Sequence, residues 1–113
     1  MILLVDDDEA VRETSAEMLE ELGYTVVQAT GGDAALNLLD RHRGVEVMVT
    51  DVRMPGMSGL ELSEIAAGRF NGLKVILISG YFLPQPINWR FLQKPFRIRD
   101  LDEAIRAELA CVG

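Results

Sequence analysis

Acidic side chains follow two apolar segments of this chain, and carboxylates in such positions can bind a metal ion. Residues 2–5 are apolar and run directly into Asp6-Asp7-Asp8. Residues 45–50 form a second, largely apolar run that stops at Asp51. Carboxylates that lie close together repel one another, so the cluster needs a balancing positive charge. Because every available ligand is oxygen, we expect a hard divalent cation, Mg²⁺ first and Mn²⁺ as the alternative.

An aspartate in such a site can be a nucleophile as well as a ligand. A carboxylate can attack a phosphoryl group and form an aspartyl phosphate, while a metal ion offsets the charge. A cationic side chain and a hydroxyl nearby would bind the other phosphate oxygens. The chain supplies both after later apolar runs, at Ser79 and Lys94. Taken singly, each residue is better explained by a turn or surface position, and Asp8 by a helix cap; it is their occurrence together at successive strand ends that indicates a site.

Strands and helices alternate along the sequence and position these residues. Short apolar or β-branched runs predict strands over 2–6, 25–29, 45–50, 74–78 and 91–93. Three helices are predicted between the strands. The first ends at Gly23, the second follows a turn at residues 31–33 and runs through Asp40, and the third covers about residues 60–67. Helical spacing predicts that the first helix buries Val11, Met18, Leu19 and Leu22. The same spacing predicts that the last helix buries Ile98, Leu101, Ile105 and Leu109.

This alternation predicts an α/β fold, a flavodoxin-like doubly wound sheet of five parallel strands in the order 2-1-3-4-5. The order reverses between strands 1 and 3, where ligands bind beyond the carboxyl ends. Those are the two strands that the aspartates follow. The length of 113 residues predicts one domain over residues 1–113. Between strands 4 and 5, Pro84 and Pro86 leave little room for a crossover helix, so we expect the fourth helix to be shortened or absent.

Composition narrows the classes of function. The formal net charge is -7, which argues against direct nucleic-acid binding, because phosphate neutralisation needs clustered Lys and Arg. No apolar stretch approaches the roughly 20 residues that span a bilayer, so no membrane insertion is expected. Cys111 is the only cysteine, which excludes an internal disulfide. We therefore expect a cytoplasmic protein or domain.

In its motifs the sequence resembles the receiver domain of two-component response regulators. The resemblance extends over nearly the whole chain, and the segments that carry it are Leu4–Asp8, Thr50–Gly59, Ile78–Gly80 and Lys94–Phe96. The resemblance implies that Asp51 is the phosphoacceptor and that a histidine kinase or a histidine phosphotransfer domain is the donor. It also implies that Mg²⁺ is bound by Asp7, Asp51 and the backbone carbonyl of Arg53, with Asp6 acting through water.

The resemblance further implies roles for residues after the fourth and fifth strands. Ser79 would hydrogen-bond the phosphoryl group, Lys94 would form an ion pair with it, and the Lys94-Pro95 peptide would be cis. Phe91 would be the aromatic residue that turns inward on phosphorylation. Arg53 lies two residues after Asp51, and Tyr81 lies two residues after Ser79. Both side chains are expected to overhang the phosphoryl group and tune its lifetime.

The leading hypothesis is a receiver of a phosphorelay that acts on no separate substrate and switches an unknown output partner. It could be part of a hybrid histidine kinase. A Mg²⁺-dependent phosphohydrolase with an aspartate nucleophile is an alternative, although Arg53 stands where such an enzyme needs a second acid. A degenerate receiver that only binds partners is the third possibility. The shortened fourth helix suggests an output surface different from the usual one.

Overall fold

The structure is a computed structural model and describes residues 1–81 and 88–110. Five strands and four helices are found in these ranges, and their bounds lie within two residues of those expected. In chain order they are β1 (Ile2–Val5), α1 (Glu9–Glu21), β2 (Val26–Ala29), α2 (Gly32–Arg41), β3 (Val47–Asp51), α3 (Gly59–Arg69), β4 (Lys74–Ser79), β5 (Arg90–Gln93) and α4 (Ile98–Ala110).

All five strands are parallel and form one sheet in the order β2-β1-β3-β4-β5. The predicted fold class is therefore confirmed. The register pairs Val5 with Thr50, so the residues that follow them, Asp6 and Asp51, leave the sheet side by side. The reversal of strand order between β1 and β3 lies at the same point. This is where an open α/β sheet forms a crevice for a ligand.

Helices cover both faces of the sheet. Alternate residues of each strand point to opposite faces, so each strand contributes side chains to two cores. On one face α2 and α3 pack with residues such as Leu36, Leu39, Leu62 and Ala66. On the other face α1 and α4 pack with residues such as Ala16, Leu19, Leu101 and Ile105. A sheet that is buried on both sides needs apolar residues at consecutive positions. This explains why β1 and β4 appear in the sequence as continuous apolar runs.

The buried stripe of α1 differs from the predicted one. Arg12, Ala16 and Leu19 are buried, at spacings of four and three residues. The three other residues expected to be buried are 42–45% exposed: Val11, Met18 and Leu22. Leu109 of α4 is likewise 40% exposed. The predicted face of α1 was therefore right for Leu19 alone, because the inward stripe begins with a charged residue, which a search for apolar spacing passes over.

Side-chain caps explain where α1 and α4 begin. The Asp8 carboxylate accepts a hydrogen bond from the backbone N–H of Val11 at 3.2 Å, which confirms Asp8 as the cap of α1. Gly23 has φ +101°, a conformation suited to glycine, and α1 ends just before it as predicted. At α4 the Asp100 carboxylate accepts from the N–H of Arg97 at 3.0 Å. An acid inside the first turn thus satisfies the backbone N–H of Arg97 itself, as the acid of a capping box does.

The connection between β4 and β5 is only partly described. Residues 80, 81, 88 and 89 belong to no helix, which agrees with the expectation that the crossover helix between β4 and β5 is shortened or absent. Residues 82–87 lie outside the described part. Trp89 and Phe91 are half-buried and pack on the face covered by α2 and α3. They therefore add apolar cover beside β4. None of the helices in residues 1–81 and 88–110 has the length and apolar character needed to cross a membrane.

Candidate functional site

Three carboxylates meet at the carboxyl edge of the sheet. Asp6 and Asp7 follow β1 directly, Asp51 ends β3, and one oxygen from each lies within 4.8 Å of the others. Asp6 is only 7% exposed, Asp51 is half-buried and Asp7 is exposed. The cluster is thus backed by the core and open to solvent on one side. Its donors are all oxygen, and a hard cation such as Mg²⁺ fits this set.

Lys94 brings a positive charge to the same edge. Its Nζ lies 3.5 Å from Oδ2 of Asp51 and 3.9 Å from Oδ2 of Asp6. Its backbone N–H donates to the carbonyl of Ser79 at 2.9 Å, which ties the end of β5 to the end of β4. The Lys94-Pro95 peptide is cis, as expected. One ammonium group does not balance three carboxylates, so the site retains the negative charge that a divalent cation would offset.

The surroundings of Asp6 change how readily its carboxyl group ionises. Burial raises the pKa of Asp6 above its ordinary value of 3.8. A hydrogen bond from the backbone N–H of Asp8, at 2.9 Å, opposes that rise in pKa. The charge of Asp51 raises the pKa further, and the ammonium of Lys94 lowers it. In the absence of metal, the folded protein therefore holds a proton on Asp6 more tightly than the unfolded chain does.

Asp6→Asn is expected to stabilise the metal-free protein at neutral pH, because asparagine places no charge in the buried position of Asp6. A raised folded-state pKa means that stability falls as pH rises from the unfolded-state value through the folded-state pKa. Asparagine removes the charge but keeps an oxygen to accept the N–H of Asp8. Urea unfolding in EDTA at pH 7 and below pH 4 measures the effect, with Glu13→Gln as the exposed control. A difference between variant and wild type that does not shrink at low pH would contradict it.

Ser79 and Phe91 lie where the sequence predicted. Asp51 pairs with Ile78, so Ser79 is the next residue along β4 at the same edge. Ser79 is buried, and its hydroxyl accepts a hydrogen bond from the N–H of Tyr81 at 3.0 Å. Phe91 pairs with Leu77 in the sheet and is half-buried. A hydroxyl and an aromatic ring on neighbouring strands therefore accompany the acid cluster.

Arg53 and Tyr81 form a stacked pair beside the site. The Arg53 guanidinium carbon lies 4.2 Å from the centroid of the Tyr81 ring, within cation–π range. The two residues come from the loops after β3 and β4, and Tyr81 is 59% exposed. Each was predicted separately to flank the acceptor. The structure joins them into one pair that crosses between two strand ends.

Two further residues act on the site and were given no role by the sequence. Gly59 begins α3, and a Cβ at this position would overlap the carbonyl oxygen of Asp51. Arg12 donates from Nη1 to the carbonyl oxygen of Asp6 at 2.9 Å. The signal for Arg12 was its helical spacing with Ala16 and Leu19. The signal for Gly59 was only that a glycine opens a helix shortly after the acceptor.

The chain is similar in sequence to the receiver domains of known signalling proteins. The family model described as response regulator receiver domain matches residues 2–106. Sensor kinase CckA of Brucella abortus (strain 2308) is 34% identical over 116 residues, which covers 96% of this chain and 12% of that protein. Transcriptional regulatory protein FixJ of Azorhizobium caulinodans is 40% identical over 116 residues, which covers 94% of this chain and 53% of FixJ.

Two other comparisons cover whole proteins or domains of similar length. Response regulator receiver protein CpdR of Brucella abortus (strain 2308) is 32% identical over 115 residues, covering 96% of this chain and 95% of CpdR. The crystal structure of the receiver domain from hybrid histidine kinase CckA superposes with a TM-score of 0.85 at 35% identity. It covers 96% of this chain and 97% of that domain. The chain thus spans a small part of CckA, about half of FixJ and nearly all of CpdR.

Proposed function

The chain belongs to the response regulator receiver domain family, and on that premise we propose that Asp51 accepts the phosphoryl group. The observation that carries this assignment is the position of Asp51. It ends β3 within 4.8 Å of the oxygens of Asp6 and Asp7 and 3.5 Å from the ammonium of Lys94. The donor is the phosphohistidine of a histidine kinase or of a histidine phosphotransfer domain. Residues 1–113 act as one cytoplasmic receiver domain.

The chemistry follows from these groups. An oxygen of Asp51 attacks phosphorus, the new P–O bond forms, and the bond from phosphorus to the histidine nitrogen breaks. Lys94 stays beside the transferred group and pairs with its charge. The hydroxyl of Ser79 donates to a phosphoryl oxygen once it turns from its contact with Tyr81. No separate substrate is needed, so the domain is not an enzyme beyond its own phosphorylation and dephosphorylation.

A divalent cation is the proposed cofactor. Asp7, Asp51 and the backbone carbonyl of Arg53 would hold Mg²⁺ or Mn²⁺, and Asp6 would contribute through water. The bound ion would offset the negative charge of the transferring phosphoryl group. The support for this set is the excess of carboxylates over ammonium groups at the edge, together with the all-oxygen donors.

Phe91 is the proposed switch residue. It lies on β5 beside β4, the strand that carries Ser79, and it is half-buried on the face covered by α2 and α3. Movement of Ser79 toward a phosphoryl group would change the space beside this ring and let it turn inward. An output partner would read this change, and a hybrid histidine kinase is one setting in which the domain would act.

Incubation with Mg²⁺ and acetyl phosphate, followed by intact mass measurement, tests the proposal. Wild type is expected to gain one phosphoryl group and Asp51→Asn is expected to gain none. Asp33→Asn, on the first turn of α2, serves as the control and is expected to behave like wild type. No adduct with any phosphodonor would favour a degenerate receiver. Turnover of many phosphate esters would favour the aspartate-nucleophile phosphohydrolase.

Tyr81→Ala is expected to speed the loss of phosphate from Asp51 severalfold, because the Arg53–Tyr81 pair would no longer obstruct an attacking water. Arg53→Ala is expected to act in the same direction. Since the two side chains stack on each other, the double variant should lose phosphate little faster than either single variant. Decay of the adduct is followed by intact mass after removal of the donor. Decay at the wild-type rate in Tyr81→Ala would contradict shielding.

A further inference from the structure

Arg12 is a buried cation that no ion pair accounts for. Among the described residues it is the only buried basic side chain, and no ion pair found in residues 1–81 and 88–110 involves it. Its hydrogen bonds run to a backbone carbonyl, that of Asp6, and to the side-chain oxygen of Gln28 on β2. Burying a guanidinium is costly unless its donors are satisfied. The two oxygen atoms that accept hydrogen bonds from Arg12 therefore indicate the role of this side chain.

We propose that Arg12 is a positioning residue that fixes the peptide group between Asp6 and Asp7. The carbonyl that accepts from Nη1 at 2.9 Å belongs to the planar unit that joins these two acids. The preceding N–H, that of Asp6, donates to the carbonyl of Ala29 at 3.2 Å. The chain is thus anchored on both sides of Asp6. Because the plane cannot turn, the directions in which both carboxylates leave the backbone are set together.

Arg12 is itself held in a way that suits this role. Nε donates to Oε1 of Gln28 at 3.1 Å, so the guanidinium joins α1, the end of β1 and the neighbouring strand β2. The planar fork of arginine can make these contacts in different directions, whereas a lysine offers a single ammonium centre. The charges that shift the pKa of Asp6 belong to Asp51, Lys94 and Asp7. Arg12 acts on the backbone of Asp6 instead, through a hydrogen bond.

This inference rests on the proposed metal site, and Mg²⁺ affinity is its direct test. Isothermal titration calorimetry with MgCl₂ alone gives the Kd, at a temperature where circular dichroism shows each variant folded. Arg12→Met is expected to weaken Mg²⁺ binding about tenfold, as loss of a group that orients metal ligands commonly does. Arg12→Lys is expected to recover part of the affinity. Arg99→Met, an exposed arginine on α4, is the matched control and should bind as wild type does.

A purely structural role for Arg12 would give a different result. It would lower the thermal midpoint in EDTA while leaving the Mg²⁺ Kd of the folded protein unchanged, and that result overturns the proposal. If Arg12→Met does not fold, Gln28→Met removes the partner of Nε and is expected to weaken Mg²⁺ binding in the same direction. Unchanged affinity in Gln28→Met would then overturn it. A wild type that binds no Mg²⁺ would overturn the metal site as well, whereas tight wild-type binding with equal variants overturns Arg12 alone.

Discussion

Gly59→Ala is expected to lower the free energy of unfolding by about 3 kcal/mol, the upper range for forcing extra atoms into a packed site. A Cβ at position 59 would overlap the carbonyl oxygen of Asp51 and lie 2.9 Å from the carbonyl carbon of Asp51 and from Cα of Val52. These are backbone atoms, so no change of side-chain rotamer can relieve the overlap. Either α3 must move away from β3 or Asp51 must shift. A shift of Asp51 would also reduce the phosphoryl adduct formed from acetyl phosphate.

Gly68→Ala provides a control within the same helix. A Cβ at this position meets nothing within 4 Å, and alanine is favoured over glycine inside a helix by about 0.5–1 kcal/mol. The two glycine-to-alanine changes in α3 are therefore expected to have opposite signs. Urea unfolding in EDTA gives both free energies, and the midpoints can be compared directly. A Gly59→Ala midpoint equal to that of wild type would show that the contact with Asp51 is looser than the structure has it.

The fold could be predicted because β1, β3 and β4 are short apolar runs with no helical period. Each is followed by polar residues that the sheet then brings to one edge, and parallel pairing of β1 with β3 places Asp6 beside Asp51. The acid cluster and Lys94 follow from that topology alone. These features depend on local sequence and on the order of the strands, both of which a single sequence carries.

Other features depend on contacts that no local pattern encodes. The inward face of α1 begins with Arg12, whose burial makes sense only once the carbonyl of Asp6 is in place to accept its hydrogen bond. Arg53 and Tyr81 belong to different loops and meet through space. The need for glycine at position 59 arises from the approach of α3 to β3. In each case the contact forms only when separate loops, strands and helices pack together, so residue spacing alone did not reveal it.

Lys94→Met is expected to tighten Mg²⁺ binding about tenfold while slowing the accumulation of the phosphoryl adduct. The ammonium lies 3.5 and 3.9 Å from two carboxylates of the cluster, so it also repels any cation that they hold. Even in a water-like dielectric, a unit charge repels a nearby divalent ion by an energy on the order of 1 kcal/mol, and about 1.4 kcal/mol is tenfold in affinity. Methionine keeps much of the apolar stem and removes this repulsion.

The same change removes the cation that would pair with the phosphoryl group on Asp51. Loss of a charge-assisted contact weakens the phosphorylated state and the transition state that leads to it. The two effects therefore run in opposite directions: stronger metal binding and weaker phosphorylation. If Lys94 only supported the fold, Lys94→Met would weaken both, since a distorted edge would bind metal less well.

Lys74→Met is the matched control, because the chain contains two lysines and Lys74 begins β4 at the opposite edge of the sheet. It changes the net charge by the same amount but is expected to leave both the Mg²⁺ Kd and the adduct yield unchanged. Calorimetry with MgCl₂ and intact mass after acetyl phosphate provide the two measurements. Equal Mg²⁺ affinity in Lys94→Met and Lys74→Met would contradict direct repulsion at the site. Wild-type adduct formation in Lys94→Met would contradict the ion pair with the phosphoryl group.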